Sequence, residues 1–567
     1  MDIRPLDNLL SVSPQITPQD MTAIAAAGFR SVICDRPNGE AADQPSAGSV
    51  DTAAREAGLS FRSIPVVASA ISDADIAQFR QALDTLPGPV LGYCRTGTRA
   101  AMLWALASAG KRPAAELLEA AAKAGYDLGA LRPRLDAASR PARAATANSC
   151  DVLIIGGGAA GLAAASSLLK RRPSCAVTVV EPSDTHYYQP GWTMIGGGVF
   201  KPERTFRAMA DVMPRGVTWI QSSAAGFDPV NNEMNLADGR RIRYRALVVA
   251  TGLKLDWDAI PGLRESLGYH GVTSNYDFKT APYTWKLVRE LKRGTALFTQ
   301  PPMPIKCAGA PQKAMYLSGS HWFDEGRLAD IKIEFHNAGA VLFGVKEYVP
   351  ALMEYVSKYR ADLHFGSRLI SVDGPRHVAT FAVTSADGRT VEEARSFDML
   401  HVCPPQRPVD VMRDSPLAGE GGWIDVDPAS LQHKRYANVF ALGDASNAPN
   451  AKTAAAARKQ APVVAENLVA LLDERPLPAQ YDGYGSCPLT VERGKIVLAE
   501  FGYGGKLMPS FPRWLIDGTR PSRLAWHLKE VILPELYWKC MLRGREWLCE
   551  PTLLDEHAMA STGSGAR

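Results

Sequence analysis

The stretch Asp151-Val-Leu-Ile-Ile-Gly-Gly-Gly-Ala-Ala-Gly161 decides the fold of most of this chain. Its first five residues, Asp151–Ile155, are predicted to form a short buried β-strand. Gly156, Gly158 and Gly161 then supply a G-x-G-x-x-G turn that opens an Ala-rich helix. The first glycine permits the tight turn, the second lets the backbone approach a pyrophosphate, and the third lets helix and strand pack closely. The sequence therefore predicts a dinucleotide-binding unit whose helix N-terminus faces phosphate groups.

Later segments complete the prediction of an FAD site. A second strand ends at Glu181, whose carboxylate would accept a hydrogen bond from a ribose hydroxyl. The strand and turn of Arg245–Gly252 return to the same fold, and Asn438–Ser446 holds a strand that ends in Gly443-Asp444. In such flavoproteins this aspartate accepts from the ribityl hydroxyls, and the helix that follows faces the pyrimidine edge of the flavin. We expect FAD to be held by Gly156, Gly158, Ala159, Gly161, Glu181, Gly252, Gly443, Asp444 and Lys452.

Length, charge and cysteine usage exclude several classes of protein. A chain of 567 residues with 46% hydrophobic residues is long enough for several domains. Its 63 Lys and Arg against 59 Asp and Glu give a net charge of +4, which indicates no nucleic-acid partner. We see no secretory signal and no run of about eighteen apolar residues that would span a membrane. Nine cysteines without C-x-x-C pairs argue against a zinc site or a disulfide scaffold and fit a reducing compartment.

The first 132 residues are predicted to form a separate small α/β unit. Helical patterns alternate with short apolar strands, and the strand Val90–Tyr93 runs into Cys94-Arg-Thr-Gly-Thr-Arg99. An Ala-rich helix begins near Arg99, so that loop amides and a helix N-terminus converge on Cys94 and favour a thiolate nucleophile. The same amides and Arg99 form a cradle for an anion. Cys94 and Arg99 are therefore predicted catalytic residues.

The spacing from Cys94 to Arg99 bears on the substrate of this unit. It is C-x4-R, one residue shorter than the C-x5-R loop that holds phosphate in protein tyrosine phosphatases. The shorter loop resembles that of rhodanese-type sulfurtransferases, whose cradle suits a cysteine persulfide. The whole unit resembles the phosphatase-like sulfurtransferases that are fused to enzymes of sulfur metabolism. Two other interpretations stay open: a phosphatase with Asp35 or Asp73 as its general acid, and a fold without a catalytic role.

The middle of the chain bears on the electron donor. The strand Thr295–Thr299 runs into Gln-Pro-Pro-Met-Pro-Ile-Lys306-Cys307, where a nicotinamide-binding relative would carry a second G-x-G-x-x-G turn. Prolines remove the backbone donors that a pyrophosphate needs, so we do not expect direct oxidation of NADH. Cys307 lies between Lys306 and Lys313, a setting that favours a thiolate.

Four segments carry a resemblance to a known family. They are Ile305–Lys313, His186–Gly191, His401–Pro405 and Tyr481–Pro488. All four are similar to segments of the mitochondrial-type sulfide:quinone oxidoreductases, and the similarity covers nearly all of the chain from residue 150 to about residue 547. The resemblance implies a membrane-surface enzyme that oxidises sulfide and passes two electrons through FAD to quinone. It also implies that sulfane sulfur is handed to a low-molecular-weight thiol.

The resemblance further implies two redox cysteines, of which one matches Cys307. The second would stand directly after Gly443-Asp444, where this chain has Ala445. Cys403 is the nearest replacement, because the strand before it returns toward the flavin domain; the alternative is a small residue that fills a tight turn. We expect sulfide to attack an oxidised Cys307–Cys403 pair and the resulting persulfide sulfur to pass to Cys94 or to a small thiol. The remaining candidates are interpreted as structural: Cys175, Cys487, Cys540 and Cys549.

The predicted fold class is α/β. A small phosphatase/rhodanese-like domain comes first, and a Rossmann-like flavoprotein with two dinucleotide-binding domains and a C-terminal membrane-associating helical region follows. The expected boundaries are 1–132 for the sulfurtransferase domain, 133–149 for an exposed linker, 150–275 and 396–475 for the FAD-binding domain, 276–395 for the second Rossmann-like domain with Cys307, and 476–567 for the C-terminal region.

The C-terminal region is predicted to meet the membrane and the quinone. Leu524–Val531 and Glu535–Leu542 are short helical stretches joined at Pro534, with aromatic and aliphatic side chains among lysines and arginines. Together with the resemblance, this pattern favours a peripheral membrane protein on the cytoplasmic face of the inner membrane. An ordinary buried helix pair is the alternative, and a homo-oligomer stays open.

Two other functions are compatible with parts of the sequence. The first is an NADH:quinone oxidoreductase fused to a tyrosine-phosphatase-like domain; the missing second glycine-rich turn and the short loop from Cys94 to Arg99 speak against it. The second is a sulfur-sensing flavoprotein without turnover, which Ala445 in place of a cysteine would explain.

Overall fold

The computed structural model describes residues 1–41, 43–68, 71, 73–109, 112–132, 134–135 and 149–554. Contacts divide the chain into two compact units, Met1–Thr146 and Ala147–Arg567. This division falls within the predicted linker 133–149, most of which lies outside the described residues, as do residues 555–567 of the C-terminal region. The side chain of Asp73, one of the two candidate general acids, is also outside the described part.

The N-terminal unit is built on a five-stranded sheet. Its strands, in spatial order, are Arg4–Pro5, Leu10–Ser13, Val90–Tyr93, Ser31–Cys34 and Ser60–Ser63. The first pair is antiparallel and the other neighbours are parallel. The central strands are buried throughout, as expected for parallel strands covered by helices on both faces. The α-helices are Met21–Ala26, Ala47–Glu56, Asp73–Thr85, Thr98–Ser108 and Ala114–Lys123.

The second unit opens on the strand that the glycine-rich motif predicts. This strand, Ser149–Ile155, lies between parallel neighbours, and Ala159–Arg171 is the helix that follows. The seven-stranded sheet comprises Val217–Ile220, Val177–Val180, Ser149–Ile155, Arg241–Val249, Glu233–Leu236 and Ala224–Asp228 in spatial order, with Val439–Ala441 paired to Arg241–Val249. The long helix Ala454–Leu472 packs against Ala159–Arg171. The late strand thus returns to the sheet that the glycine-rich strand begins.

The middle of the second unit is a parallel sheet of five strands. In spatial order they are Val272–Thr273, Met399–His401, Gly294–Gln300, Ile331–Asn337 and Ala361–Phe365. The α-helices of this part are Ala281–Glu290, Ala310–Asp324 and Val349–Lys358. An antiparallel sheet of three strands is inserted in the sequence between Ala361–Phe365 and Met399–His401. Its strands are Ser367–Asp373, Val378–Thr384 and Thr390–Ser396. Parallel strands buried by helices are what a Rossmann-like domain requires.

The remaining elements are short or belong to the C-terminal part of the chain. The hairpin Gly485–Glu492 and Lys495–Phe501 packs against the helix Ala310–Asp324. Short strand pairs join Thr185–Tyr187 with Phe206–Ala208, Lys254–Leu255 with Gln406–Arg407, and Ala479–Gln480 with Thr552–Leu553. Short α-helices span Trp192–Gly196, Met209–Val212, Leu263–Ser266 and Asp410–Arg413.

The C-terminal helices differ from the predicted pair joined at Pro534. Arg523–His527 is α-helical, Leu528–Ile532 is a π-helical turn, and Leu533–Lys539 is again α-helical. Pro534 is the second residue of this last segment, where a proline is tolerated because the first helical N–H groups need no intrahelical partner. In the described part of the chain, none of the helices has the length and apolar character to cross a membrane.

Candidate functional site

The glycine-rich loop has the close backbone approaches that its three glycines predict. Gly156 has a φ of +103°, a conformation that favours glycine. A side chain at Gly161 would place its Cβ 1.9 Å from the carbonyl oxygen of Gly156, so that only glycine lets the helix start here. At Gly158, in contrast, a Cβ would meet nothing within 4 Å. The loop is therefore tightly packed behind and open in front, as a pyrophosphate site requires.

Two side chains fix the loop in place. The Gly157 N–H donates to Glu181 Oε2 over 2.7 Å, so the predicted ribose ligand also holds the loop. The His186 ring bonds two groups. Its Nδ1 is 3.0 Å from the carbonyl oxygen of Gly157, and its Nε2 is 2.6 Å from the hydroxyl of Tyr537. Burial lowers the pKa of His186 to about 4, so the ring is neutral and joins the loop to the C-terminal helix.

A cavity of about 510 Å³ extends from the glycine-rich loop to Cys307. Buried polar atoms on its wall have no protein partner: Trp192 Nε1, Thr251 Oγ1, both amide atoms of Asn275, and Arg458 Nε. Buried polar groups are normally hydrogen-bonded, so these atoms indicate a polar ligand. Glycines for a pyrophosphate, an acid for a ribose and orphaned donors around a long cavity fit a dinucleotide such as FAD. Eight of the nine predicted FAD residues line it: Gly156, Gly158, Ala159, Glu181, Gly252, Gly443, Asp444 and Lys452.

The turn at Gly443-Asp444 and the following Lys452 bring an acidic and a basic side chain to the same cavity. Burial raises the pKa of Asp444 and lowers that of Lys452 to about 8. Lys452 Nζ donates to the carbonyls of Asp444 and Ser446, at 2.9 and 2.8 Å, and so ties the turn together. The helix Ala454–Leu472 begins directly after, with Thr453 Oγ1 accepting from the Ala456 N–H. Its positive N-terminus faces the cavity.

Cys307 lies at the far side of this cavity, ahead of the helix Ala310–Asp324. Its φ of +50° is unusual for a residue with a side chain, and its N–H donates to the carbonyl of Lys452 over 2.8 Å. Lys313, one turn into the helix and only 2% exposed, donates from Nζ to Cys307 Sγ over 3.1 Å. The Cys487 thiol and the Lys313 ammonium hold the pKa of Cys307 well below its usual range despite burial. The predicted thiolate at Cys307 therefore has a structural cause.

Cys487 brings a second sulfur into contact with Cys307. The two Sγ atoms are 3.6 Å apart, although the residues are 180 positions apart in sequence. The pKa of Cys487 is raised well above its usual range by the neighbouring Cys307, so Cys487 is the protonated partner. Gly309 makes the approach feasible, because a Cβ there would lie 2.4 Å from a Leu489 methyl and 2.6 Å from Cys487 Sγ. The structure thus gives Cys487, interpreted as structural from sequence, a place in the site.

A second lysine faces the sulfur pair. Lys529 comes from the π-helical turn Leu528–Ile532 and is 4% exposed. Burial, and then repulsion from Lys313, lowers its pKa to about 7. Its charge helps to lower the pKa of Cys307. Two buried lysines around one sulfur pair make this end of the cavity attractive to a small anion.

Cys403 lies in a different packing cluster. It is 1% exposed and packs with Tyr276 and Ile305, whereas Cys307 packs with the core that contains Cys487. Burial raises the pKa of Cys403 to about 12, against the hydrogen bond that Tyr276 provides. In the described part of the chain, no hydrogen bond joins Cys403 to Cys307. Cys307 is therefore in contact with Cys487, and its negative charge also raises the pKa of Cys403.

The N-terminal unit holds a second cysteine site. Cys94 follows the strand Val90–Tyr93, and the Arg99 N–H points at its Sγ from 3.4 Å. Gly97, with a φ of +85°, starts the helix Thr98–Ser108. Arg99 Nη2 forms an ion pair of 2.7 Å with Glu40. The predicted residues Cys94 and Arg99 are thus together, and Glu40 is an acid that the sequence did not single out.

Comparison with known proteins identifies the family of the second unit. The model of the pyridine nucleotide-disulphide oxidoreductase family matches residues 150–300. The mitochondrial sulfide:quinone oxidoreductase of Dictyostelium discoideum is 40% identical over 381 residues, which are 67% of this chain and 82% of the relative. The chain belongs to the sulfide:quinone oxidoreductase family. The structure of the sulfide:quinone oxidoreductase from Aquifex aeolicus has a TM-score of 0.58 at 18% identity, covers 70% of this chain and 92% of its own, and shows the same fold.

The N-terminal unit resembles a different group. The model of the beta-lactamase hydrolase-like protein, phosphatase-like domain, matches residues 2–111. The beta-lactamase hydrolase-like protein of Xylella fastidiosa (strain Temecula1) is 37% identical over 131 residues, which are 23% of this chain and 30% of that protein. The predicted fold class, a phosphatase-like α/β domain followed by a Rossmann-like flavoprotein of the sulfide:quinone oxidoreductase family, is confirmed. This family implies a flavin cofactor.

Proposed function

We propose that this chain oxidises sulfide, with FAD as its redox cofactor and quinone as the electron acceptor, and that its N-terminal unit transfers the resulting sulfane sulfur. The observation that carries the proposal is the pair of sulfurs at Cys307 and Cys487, 3.6 Å apart and held by Lys313 at the end of the cavity. The named relatives are sulfide:quinone oxidoreductases, which supports the same conclusion.

The sulfur chemistry follows from the pair. The two sulfurs need to approach by about 1.5 Å to form a disulfide. Hydrosulfide attacks one sulfur of that disulfide, the S–S bond breaks, and a persulfide is left on one cysteine and a thiolate on the other. A thiolate acceptor then takes the outer sulfur and restores the second cysteine thiolate. Closure of the disulfide again releases two electrons, and the net reaction converts sulfide to sulfane sulfur.

Two lysines serve this cycle. Lys313 stabilises whichever sulfur is the thiolate, since its ammonium bonds Cys307 Sγ and also influences Cys487. Lys529 adds a second charge, which draws hydrosulfide into an otherwise apolar end of the cavity. Bound FAD supplies the two-electron carrier between this sulfur pair and a quinone. Of the residues around it, the glycine-rich loop and Glu181 would hold the nucleotide, and Lys452 with the helix N-terminus would hold the flavin end.

The exposed apolar side chains near the C-terminus support a membrane-facing exit for the electrons. Trp514 is 84% exposed. Other exposed apolar side chains in this part of the chain are Leu515, Leu524, Val531, Ile532, Trp547 and Leu548. Leu524, Val531 and Ile532 are on the short helical segments and the others are in turns, and exposed aromatic and aliphatic groups of this kind suit binding to the surface of a bilayer. We propose peripheral association with the cytoplasmic face of the inner membrane, where a quinone is accessible.

In the N-terminal unit, Cys94 is proposed as the sulfur acceptor. Its thiolate attacks the outer sulfur of a persulfide, the S–S bond breaks, and the donor leaves as a thiolate. No oxidant is consumed in this step. A low-molecular-weight thiol serves as carrier between the two cysteine sites.

The test is an anaerobic sulfide titration of the purified protein, followed at the flavin absorbance band, with a quinone analogue added afterwards. We expect bleaching by sulfide and recovery with quinone. Cys307→Ser and Cys487→Ser should each abolish the bleaching. Cys403→Ser, the matched variant of the cysteine predicted from sequence, should leave it nearly unchanged.

Three results would contradict parts of this proposal. Full bleaching in Cys487→Ser together with its loss in Cys403→Ser would restore Cys403 as the partner of Cys307. Rapid bleaching by NADH would favour the alternative NADH:quinone oxidoreductase. A Cys307 persulfide that forms without any bleaching would favour a sulfur sensor without turnover.

A further inference from the structure

Lys529 is a buried lysine without an acid beside it. It belongs to the π-helical turn Leu528–Ile532 and lines the cavity. In the described part of the chain, the groups whose charges act on it are Lys313, Cys307 and Cys487, and no carboxylate is among them. Buried lysines are normally paired with an acid, because burial of an unpaired charge costs free energy. The negative charge that compensates Lys529 is therefore the one that the sulfur pair carries.

Two acids on neighbouring elements have other partners. Glu530, on the same turn, accepts a hydrogen bond from Trp526 Nε1 over 2.7 Å. Glu500, on the wall of the same cavity, accepts from the Tyr484 hydroxyl and from Ser510 Oγ, each over 2.6 Å. Both carboxylates are thus engaged away from the buried lysine.

The two lysines at the sulfur pair have different relations to it. Lys313 donates from Nζ to Cys307 Sγ over 3.1 Å, and against the effect of burial this thiolate raises the pKa of Lys313. Burial and then repulsion from Lys313 lower the pKa of Lys529 to about 7, whereas the charge of the sulfurs raises it. Loss of the negative charge on sulfur therefore removes the contribution that keeps Lys529 protonated.

We propose that Lys529 is the proton carrier of the sulfur pair: it is an ammonium while Cys307 is a thiolate, and an amine once Cys307 and Cys487 are joined as a disulfide. Closure then converts one thiolate, one thiol and one ammonium into a disulfide and an amine, and it releases two electrons and two protons. Reduction of a quinone to a quinol takes up the same number of both. The proposal rests on the sulfide oxidation proposed above.

The amine also prepares the next turnover. Hydrogen sulfide that enters the cavity gives a proton to Lys529, and the resulting hydrosulfide lies beside the new ammonium and the disulfide. Its attack on one sulfur breaks the S–S bond and leaves a persulfide and a thiolate, whose charge the ammonium compensates. One lysine thereby prevents an uncompensated charge in a buried site at each stage of the cycle.

The first experiment measures the protonation of Lys529 in the full-length protein with FAD bound. The protein is acetylated briefly with acetic anhydride at a series of pH values, and the peptide that contains Lys529 is quantified by mass spectrometry. The amine reacts and the ammonium does not, so the rate follows the deprotonated fraction. We expect the midpoint for Lys529 to lie about one pH unit or more lower after the pair has been oxidised to the disulfide. Lys539, an exposed lysine of the next helix, is the internal control and should not shift.

The second experiment counts protons. The reduced protein is oxidised with ferricyanide, which takes up electrons but no protons, and a pH indicator in weak buffer records the release. Lys529→Arg should release about one proton for each disulfide formed, because arginine keeps its charge and is not deprotonated. Wild type should release more, with the excess greatest at a pH between the two midpoints of Lys529. Lys539→Arg is the matched control and should behave as wild type.

Equal midpoints of Lys529 in the two redox states would overturn the proposal, as would equal proton release from wild type and Lys529→Arg. If acetic anhydride does not reach Lys529, the proton count decides; if Lys529→Arg does not fold, acetylation of wild type decides. Neither experiment uses sulfide. Failure of sulfide to bleach the flavin would therefore count against sulfide oxidation, separately from the role of Lys529.

Discussion

Cys94 and Cys307 occupy similar positions in the two units but have different neighbours. Each follows a strand of a parallel sheet and precedes a helix, Thr98–Ser108 in one case and Ala310–Asp324 in the other. At Cys94 the nearby cation is bonded to a carboxylate, Glu40. At Cys307 the nearby cation, Lys313, is bonded to the sulfur itself, and a second sulfur lies within 3.6 Å.

The comparison shows what separates sulfur transfer from sulfur oxidation. A lone thiolate can pass a sulfur atom without changing the number of electrons. Two sulfurs in contact can also form a bond between themselves and release two electrons. A buried lysine suits the second task, because it stabilises a thiolate on either sulfur, whereas the arginine at Cys94 is restrained by an acid.

Replacing Lys313 should have the largest effect. In Lys313→Met the pKa of Cys307 rises, so the thiolate that exists at neutral pH is lost. Alkylation of Cys307 should slow about tenfold for each unit by which its pKa then exceeds the pH of the assay. The pH profile of alkylation should move to higher pH, and sulfide bleaching should slow in parallel. Lys286→Met, an exposed lysine on a neighbouring helix, is the control. An unchanged profile would contradict the role of Lys313.

Enlarging Gly309 should have an intermediate effect. The methyl group of Gly309→Ala meets Leu489 and Cys487 Sγ, so the hairpin must move away from Cys307. We expect a loss of about 1–3 kcal/mol in the free energy of unfolding and less disulfide on oxidation. Thermal melting and thiol counting after mild oxidation check this. Gly344→Ala is the matched control, because a Cβ at Gly344 would meet nothing within 4 Å. Gly326→Ala would not serve, because Gly326 has a positive φ, which strains any residue with a side chain. Normal disulfide formation in Gly309→Ala would be evidence against the close pairing.

Replacing Asp35 should have the smallest of these effects, a minor change in the reactivity of Cys94. Burial raises the pKa of Asp35 and so favours its neutral form. Asp35→Asn should therefore alter the alkylation rate of Cys94 less than about twofold. The effect on stability depends on pH. A raised pKa means that the folded protein retains a proton that the unfolded chain loses, so wild-type stability falls as pH rises above the usual aspartate pKa. Asp35→Asn lacks this loss, and its melting temperature relative to wild type should increase from pH 4 to pH 7. A constant difference would contradict a neutral Asp35.

The sequence predicted the parts of the site that are local. The glycine-rich loop, the turn at Asp444 and the lysines beside Cys307 each depend on residues within a few positions of one another. The pairing with Cys487 does not, because the hairpin that carries it is 180 residues away and only the packing at Gly309 brings it near. The segment Tyr481–Pro488 did carry the family resemblance, which was the one signal for Cys487. Cys403 was predicted because it follows a strand that returns toward the flavin domain. The position of a residue at a strand end does not show which side chains it contacts.

Glu40 was missed for a related reason. Glu40 and Arg99 are 59 positions apart in the sequence. A glutamate in a loop has no sequence pattern that shows whether it faces solvent or pairs with an arginine beside a reactive cysteine. The C-terminal helices were predicted approximately, but their π-helical turn was not. That turn places Lys529 toward the cavity, which helical periodicity alone does not indicate.

The bridge through His186 has a consequence for the order of assembly. The glycine-rich loop is synthesised early, yet its carbonyl at Gly157 is fixed through His186 to Tyr537, almost four hundred residues later. The same helix that starts at Ala159 also bonds Leu542 and Glu546 through Ser166 and Ser167. A nascent chain on the ribosome therefore has the nucleotide-binding sheet long before it has the last wall of its cavity. Stable capture of the cofactor is therefore expected only after translation has passed Glu546.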